Sequence, residues 1–385
     1  MALKKMIRVG VVGVGRGSGF ARGAVESLGM KLVALCDTWE EKLNTLGKEL
    51  NVSTYTDYDK FLEHDMDAVI LANYFHQHAP FAIKALKAGM HVMSETSACF
   101  TLAEGVALIE AVEKSGKIYL FAENYPYMAF NLEMRKLYRK GAIGKFLYGE
   151  GEYVHSMGSA DAQSISPGRG HWRKWLPKIY YCTHSLGPVM YITDTMPVKV
   201  NGFEIPHDYD YQSALKEKEW SGNGKSCMVV RMDNGATVKL LHVSLRGNGN
   251  WVRIHGNMGL MENLRTANQN MLRIRKEPFD KKPGEPSEMI YKPEFPSYAR
   301  DASRHGHGGG DFFTNYFFAQ AIKTGEQPYM DVYRGVAMSV AGIQAYRSVL
   351  NDSNTIDVPD FRKKSERAKY SGDDWSIEPG CKKKK

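Results

Sequence analysis

The sequence predicts a two-part α/β protein: a parallel sheet covered by helices on both faces, then a unit of antiparallel hairpins and helices. Three observations carry that expectation. Short apolar runs alternate with helical patterns from Ile7 to Ala122, as strands and their crossover helices do. Beyond Pro126 the runs lengthen, alternate in polarity and are separated by turns such as Asp233–Asn234–Gly235. A chain of 385 residues also exceeds what one core supports.

Taken in order, Ile7–Val12 (IRVGVV) reads as the first strand, a glycine-rich loop follows, and Phe20–Leu28 reads as a helix. Lys31–Cys36 (KLVALC) is the second strand, ending at Asp37, and Trp39–Leu50 is a helix. Asp67–Leu71 is a strand, and Pro80–Ala88 is a helix closed by Gly89, a residue suited to a left-handed cap. His91–Ser94, Leu102–Ser115 and Ile118–Ala122 complete the alternation as strand, helix and strand. Met128–Lys140 looks helical, and Phe146–His155, Val198–Phe203, Ser226–Met232, Ala236–Ser244 and Trp251–His255 read as hairpin strands. Pro278–Arg304, rich in Pro, Lys and Glu, reads as a long loop before helical patterns resume at Asp311–Lys323 and Val332–Leu350. The expected division is 1–125, then 126–360 with the helices near 311–350 returning to the cleft, and finally a basic tail, 361–385. No internal repeat is visible.

Composition excludes several classes. Apolar and charged contents of 43% and 24% suit a globular protein, and no apolar run approaches the ~20 residues that span a bilayer. Lys4 and Lys5 before an apolar segment imitate a signal peptide, but Arg8 interrupts the run and glycines end it, so a first strand and a cytoplasmic setting are expected. The five cysteines are scattered with no CxxC pair, which supports neither a disulfide framework nor a cysteine metal site. Four of the eight net positive charges are the run Lys382–Lys385, read as a solvated end. No aromatic residues interleave with a basic stripe, so no nucleic-acid partner is expected.

The stretch Gly13-Val14-Gly15-Arg16-Gly17-Ser18-Gly19 joins the first strand to the first helix. Glycines there permit a tight turn and let backbone N–H groups approach a pyrophosphate. The third glycine of G-x-G-x-x-G falls at Ser18, with Gly17 one place early, so the turn alone is a weak signal. Asp37 strengthens it, because it ends the second strand 24 residues after Gly13, near the ~20-residue offset of a ribose-binding carboxylate. A carboxylate there repels a 2′-phosphate, which favours NAD. The structural alternative is that Asp37 caps the following helix.

A ligand of such a sheet lies outside the carboxyl ends of its strands. Those ends read Gly13 and Gly15, Asp37, the run Asn73-Tyr74-Phe75-His76-Gln77-His78, Glu95, and Glu123-Asn124. They form a polar rim on apolar strands. The expected cofactor contacts are therefore Gly13, Gly15, Arg16, Gly17, Asp37, Asn73, His76, His78, Glu95 and Asn124, with Trp172 and Arg173 lining the cleft from a loop. Those two aromatic-loop positions could equally pack the loop down.

ILANYFHQHAPFAIKALKAGMHVMSETSA resembles the Gfo/Idh/MocA oxidoreductase family, which keeps a strand, a His near the following helix, "AGKHV" and Glu-Lys-Pro in that order. GAIGKF and IHGNMGLME are similar to it as well. The resemblance spans nearly the whole chain and implies a Rossmann doubly wound sheet plus an α+β domain with an open, mostly antiparallel sheet. Two departures stand out. Thr96 occupies the catalytic Lys position, and the paired Asp and His of the second domain align with Thr183 and Gly187. The same departures resemble the NAD-dependent α-N-acetylgalactosaminidase-type glycoside hydrolases. Tyr181-Cys182-Thr183-His184-Ser185-Leu186-Gly187-Pro188-Val189, Gly306–Phe312 (GHGGGDF), Glu123-Asn124-x-x-Tyr127, Gly149–His155 (GEGEYVH) and Asp331-Val332-Tyr333 all look like that branch. A final Asp expected after His155 is Ser156, which leaves the sugar preference open.

That resemblance implies cleavage of a small glycoside by transient oxidation at carbon 3, elimination, water addition and re-reduction, without the two carboxylates of ordinary glycosidases. NAD is then recycled, and the protein positions acids and bases. The implied catalytic residues are Tyr181 and His184, with His155, Tyr153 and His307 as further candidates. A His titrates near neutral pH, whereas a Tyr acting as a base needs a lowered pKa from a nearby cation or the cofactor. The resemblance places Glu95 near the nicotinamide ribose. No metal is expected: His305 and His307, two apart on a glycine loop, are a weak ligand pattern. Two rival readings stand beside this one: a sugar oxidoreductase or lyase of the same family, and a non-catalytic NAD- or sugar-binding regulator. A homo-oligomer through the open sheet is also implied.

Overall fold

The computed structural model describes residues 6–24, 26–156, 164–166, 170–205, 225–243, 245, 247–266 and 268–379. The expected lysine run at 382–385 lies outside them. The first sheet contains β1 (Ile7–Val12), β2 (Met30–Cys36), β3 (Ser53–Tyr55), β4 (Ala68–Leu71), β5 (His91–Ser94) and β6 (Tyr119–Phe121), in the order β3-β2-β1-β4-β5-β6. Every pairing among them is parallel. This is the doubly wound order, with its ligand crevice at the reversal between β1 and β4. The central strands are apolar throughout because both faces are covered: all four residues of β4 are buried.

Helices α1 (Gly17–Gly23), α2 (Glu40–Leu50), α3 (Tyr58–Leu62), α4 (His78–Lys87) and α5 (Leu102–Ser115) connect the strands. The bounds of α5 follow from its signals: Thr101 and Glu104 form a reciprocal capping box, and Gly116 (φ 62°) ends the helix. Gly89 (φ 84°) takes the expected left-handed turn after α4. The helix expected at 20–28 instead starts at Gly17 and gives way after Gly23 to a 3-10 turn, Glu26–Leu28. The edge strand β3 and short helix α3 were not expected. Ser53-Thr54-Tyr55 carries no apolar run, since an edge strand of three residues buries little.

Next comes α6 (Ala129–Arg139), followed by the second sheet: β7 (Phe146–Val154), β8 (Pro197–Ile205), β9 (Lys225–Met232), β10 (Thr237–Val243), β11 (Gly249–Gly256), β12 (Gly259–Asn263), β13 (Leu272–Arg275), β14 (Glu288–Tyr291) and β15 (Ile356–Asp357). Its order is β14-β13-β12-β11-β7-β10-β9-β8-β15. Only β7 with β10 is parallel; the remaining pairs are antiparallel. The stretch 278–304, expected as loop, contains β14, which pairs with β13 through Arg273↔Ile290. Helices α7 (Thr183–Thr193), α8 (Gly310–Thr324), α9 (Val332–Leu350) and α10 (Lys364–Tyr370) complete the chain.

The later helices join the two sheets. Phe318, Ala319 and Ala321 of α8 pack into the core of β1 beside Val9, Val11 and Phe20. Val336 and Met338 of α9 share another core with Val92, Leu102 and Val200. Beyond α10, the Asp373 carboxylate pairs with Arg347 at 2.6 Å, and its carbonyl accepts the Ala103 N–H.

Candidate active site

The glycine turn is a built cradle. A Cβ on Gly13 (φ 93°) would meet the Ala72 carbonyl oxygen at 2.3 Å, so the close crossing of β1 and β4 requires glycine there. A Cβ on Gly15 would meet nothing within 4 Å, leaving backbone facing open space. Asp37 organises this turn: its carboxylate accepts the Val14 N–H at 2.7 Å and the Trp39 N–H at 2.9 Å. The helix-capping alternative is not realised: α2 begins at Glu40 with Trp39 at its N-cap, and Asp37 bonds the Trp39 N–H just outside the helix. At the end of β4, both side-chain polar atoms of Asn73 and the Nδ1 of His76 are buried without a hydrogen-bond partner among the described residues. Such groups call for a polar ligand or water.

His78 does something different. It is buried, its Nδ1 lies 2.9 Å from the Ser97 carbonyl, and its Nε2 lies 3.3 Å from the Asn73 carbonyl. It therefore holds the chain after β5 against the chain after β4. Arg16 also turns inward. Its Nε donates to Glu95 at 2.6 Å, and its two terminal nitrogens grip Asp311 at 2.9 and 2.6 Å. Burial raises the Glu95 carboxyl, but Arg16 and the Thr96 N–H outweigh that and hold it below the usual range.

Across the cleft stands a wall of aromatic and imidazole rings. Glu123, just past β6, is fully buried, and its two oxygens lie 2.8 and 3.0 Å from Nδ1 of His184 on α7. An ionised carboxylate only accepts, so Nδ1 carries a proton, and in the neutral ring the lone pair lies on Nε2. The His184 ring lies 4.8 Å from Tyr181, 4.9 Å from Tyr153 and 4.5 Å from Tyr125. Tyr153 in turn stacks on His155 at 5.5 Å and on His242 at 4.7 Å, as the β7–β10 register places Tyr153 opposite His242. Tyr125 is 6.0 Å from His307, whose Nδ1 lies 3.0 Å from Asp311. The five catalytic candidates expected from the sequence are therefore brought together.

Trp172 and Arg173 sit at the rim of this wall. Trp172 stacks on Phe75 at 5.1 Å and Tyr181 at 6.1 Å, and the Arg173 guanidinium lies 4.2 Å above the Trp172 ring.

The protein groups around the tyrosines do not by themselves lower their hydroxyls. Burial raises Tyr181, and the nearby Arg173 offsets only part of that. Burial likewise raises Tyr125 and Tyr153. Burial thus favours the protonated hydroxyl at all three tyrosines. Thr96, the residue at the position of the family lysine, acts on the Tyr181 hydroxyl from close by and offsets a further part of the burial effect.

Several residues here were missed or misassigned. The sequence places Glu123 on the rim of strand ends and in a motif but gives it no role, and it gives no signal for Tyr125 or His242. Tyr127, quoted in the same motif, is buried in the core against Tyr191 and Phe317. Tyr333 bonds Glu113 at 2.5 Å, and Asp331 caps α9 by accepting the Arg334 N–H. Lys178, one turn before Tyr181, was also passed over; burial and then Arg173 push its amine down to about 8. Strand-end position marks Glu123 as rim, since it follows β6 as Glu95 follows β5, but its pairing with His184 depends on where α7 packs.

Gly187 explains a departure noted in the sequence. A Cβ there would approach Cγ of Glu123 to 2.8 Å. Any side chain at 187 would therefore push Glu123 from its present place facing His184. Among the described residues no group of three or more His, Cys, Asp and Glu could hold a metal ion, and no helix is long and apolar enough to cross a membrane.

Comparison with known proteins agrees with this layout. Residues 7–123 match the family described as oxidoreductase family, NAD-binding Rossmann fold, and residues 210–367 match the glycosyl hydrolase 109 C-terminal domain. A glycosyl hydrolase family 109 protein of Shewanella pealeana is 26% identical over 93% of this chain and 86% of its own length. An alpha-N-acetylgalactosaminidase of Shewanella oneidensis is 25% identical with the same coverage. Among solved structures, levoglucosan dehydrogenase in complex with NADH and levoglucosan superposes with a TM-score of 0.74 at 18% identity, covering 92% of this chain and 99% of that one.

Proposed function

From a chain that joins an NAD-binding Rossmann domain of the oxidoreductase family to a glycosyl hydrolase 109 C-terminal domain, we propose an NAD-dependent glycosidase that cleaves small glycosides with no net oxidation. The observation that carries this reading is the buried Glu123–His184 pair facing Tyr181, Tyr153 and Tyr125, in a cleft where Thr96 replaces the family lysine. When bound, NAD supplies a reversible hydride acceptor for carbon 3 of the sugar. Gly13, Gly15 and Gly17 would hold its pyrophosphate, Asp37 its adenosine ribose, and Asn73, His76, Glu95 and Asn124 the nicotinamide end. The unpartnered polar atoms of Asn73 and His76 support that fit.

The chain's own groups then manage protons. Glu123 fixes His184 with Nδ1–H inward, so Nε2 can take the acidified proton at carbon 2. As His184 becomes an imidazolium, Glu123 stabilises the charge at 2.8 Å in a water-poor setting. Tyr181 and Tyr153, kept protonated by burial, donate hydrogen bonds to sugar oxygens as charge develops. His307 and His155, nearer the rim, are placed to protonate the leaving group and direct water. Residues 1–125 thus serve the cofactor and 126–360 chiefly the sugar. Pairing with another copy of the chain through the open second sheet belongs to the same reading. On this reading the substrates are small glycosides met in the cytoplasm.

The test is incubation with a panel of p-nitrophenyl glycosides and NAD in deuterated water. Nitrophenol release with deuterium at carbon 2 and no accumulated NADH is the expected result. Accumulated NADH with intact glycoside would replace the proposal by a dehydrogenase.

A further inference from the structure

Asp311 belongs neither to the glycine turn nor to the ring wall, yet it touches both. It opens α8, whose buried residues Phe318, Ala319 and Ala321 are packed into the core of β1, so its position is set by rigid packing. Its carboxylate accepts from two nitrogens of Arg16 at 2.9 and 2.6 Å, from Nδ2 of Asn124 at 2.8 Å and from Nδ1 of His307 at 3.0 Å. Those partners come from three separate parts of the chain: the cofactor turn, the end of β6 and the loop before α8. Arg16 carries the network on to Glu95 at 2.6 Å. His307 itself holds a left-handed backbone, φ 55°, which a non-glycine residue adopts only at a cost. Its bond to Asp311 helps offset that cost, and it leaves Nε2 as the free ring nitrogen beside Tyr125.

We infer that Asp311 is a positioning residue that ties cofactor binding at the glycine turn to the placement of His307, so that the two tighten or loosen together. A ligand that settles against the turn fixes Arg16. Arg16 in turn fixes the Asp311 carboxylate, and the carboxylate fixes the ring that faces the sugar. The inference rests on the NAD-dependent reading above but concerns a residue outside the nucleotide-binding segment. Its role is distinct from that of Glu123, which holds its histidine without a permanent cation.

The test titrates NAD alone, with no sugar, into the full-length protein by calorimetry, for wild type, Asp311→Asn, Arg16→Met and the double variant. Asp311→Asn is expected to raise the dissociation constant about tenfold, within the usual range of coupling between sites. The double variant is expected to bind no worse than about twofold below the weaker single, because both changes break one link. The pH profile of glycoside hydrolysis supplies the second readout. Asp311→Asn changes its shape by releasing His307, whereas a merely structural role lowers activity without reshaping it. Wild-type NAD affinity in Asp311→Asn, or losses that multiply in the double variant, would overturn the inference. If Asp311→Asn fails to fold, His307→Phe removes one donor from the same carboxylate on the sugar side, away from the cofactor contacts; weaker NAD binding there supports the link and unchanged binding overturns it. Should the wild type hydrolyse no glycoside, the glycosidase reading falls while the NAD titrations still decide the coupling.

Discussion

Two carboxylates leave the ends of neighbouring strands and enter opposite worlds. Glu95 follows β5 and meets Arg16, a permanent cation, which is itself gripped by Asp311. Glu123 follows β6 and meets His184, a group whose charge can change. One partner choice makes a fixed electrostatic joint beneath the cofactor turn; the other pairs a carboxylate with an imidazole, the pair that moves a proton on the proposed reading. Two strand ends at equivalent positions in the sheet therefore do different chemistry according to what the second half of the chain delivers to them.

The largest effect should come from the titrating pair. His184→Ala is expected to lower kcat by about 10³-fold, in the range of a lost general base, while NAD titration stays near wild type. Equal losses in NAD affinity and kcat would erase the contrast between the two carboxylates. At the fixed joint, Glu95→Gln leaves Arg16 short of a partner in a buried site. A destabilisation of about 3 kcal/mol is expected in denaturant unfolding, with weaker NAD binding. Gly187→Ala sharpens the comparison from the other side, because the added Cβ presses on Glu123. An activity loss of about tenfold with unchanged NAD binding is expected for a displacement this small.

The smallest effect is in acid stability. Burial raises Asp311, but hydrogen bonds from His307 and Arg16 outweigh it and hold the carboxyl well below the usual range; Glu95 is depressed as well. A depressed folded pKa gives stability that is complete above the unfolded value, about 4, and is lost as pH falls through the folded value. Arg16→Met should therefore flatten the fall in unfolding free energy below about pH 4. An unchanged slope would mean that Arg16 does not hold these carboxylates.

Much of this was legible before the fold was seen. Apolar strands with sharp caps, such as Leu102–Ser115 between Thr101 and Gly116, announce themselves because local signals and tertiary packing agree. So did the convergence of Tyr181, His184, Tyr153, His155 and His307, through ordered motifs resembling a known branch. What escaped notice depends on distance in three dimensions. His242 becomes a site residue only through its register with Tyr153, and Tyr125 rather than Tyr127 faces the cleft because Tyr127 is spent on the core. The raised tyrosine hydroxyls follow from burial, which a sequence does not display. Asp311 looked like the end of a glycine motif, and its four donors come from residues up to 295 positions away.

The central claim is that Glu123 and His184 move a proton at the sugar while the cofactor returns to its starting state. Its most direct measurement is solvent deuterium entering carbon 2 of an NAD-dependent turnover, followed by mass spectrometry for wild type and Glu123→Gln. Wild type should release aglycone with deuterium at carbon 2, and Glu123→Gln should bind NAD normally yet incorporate deuterium at least about 100-fold more slowly. Deuterium entering at the wild-type rate in Glu123→Gln, or no deuterium in a wild type that hydrolyses the glycoside, would contradict it.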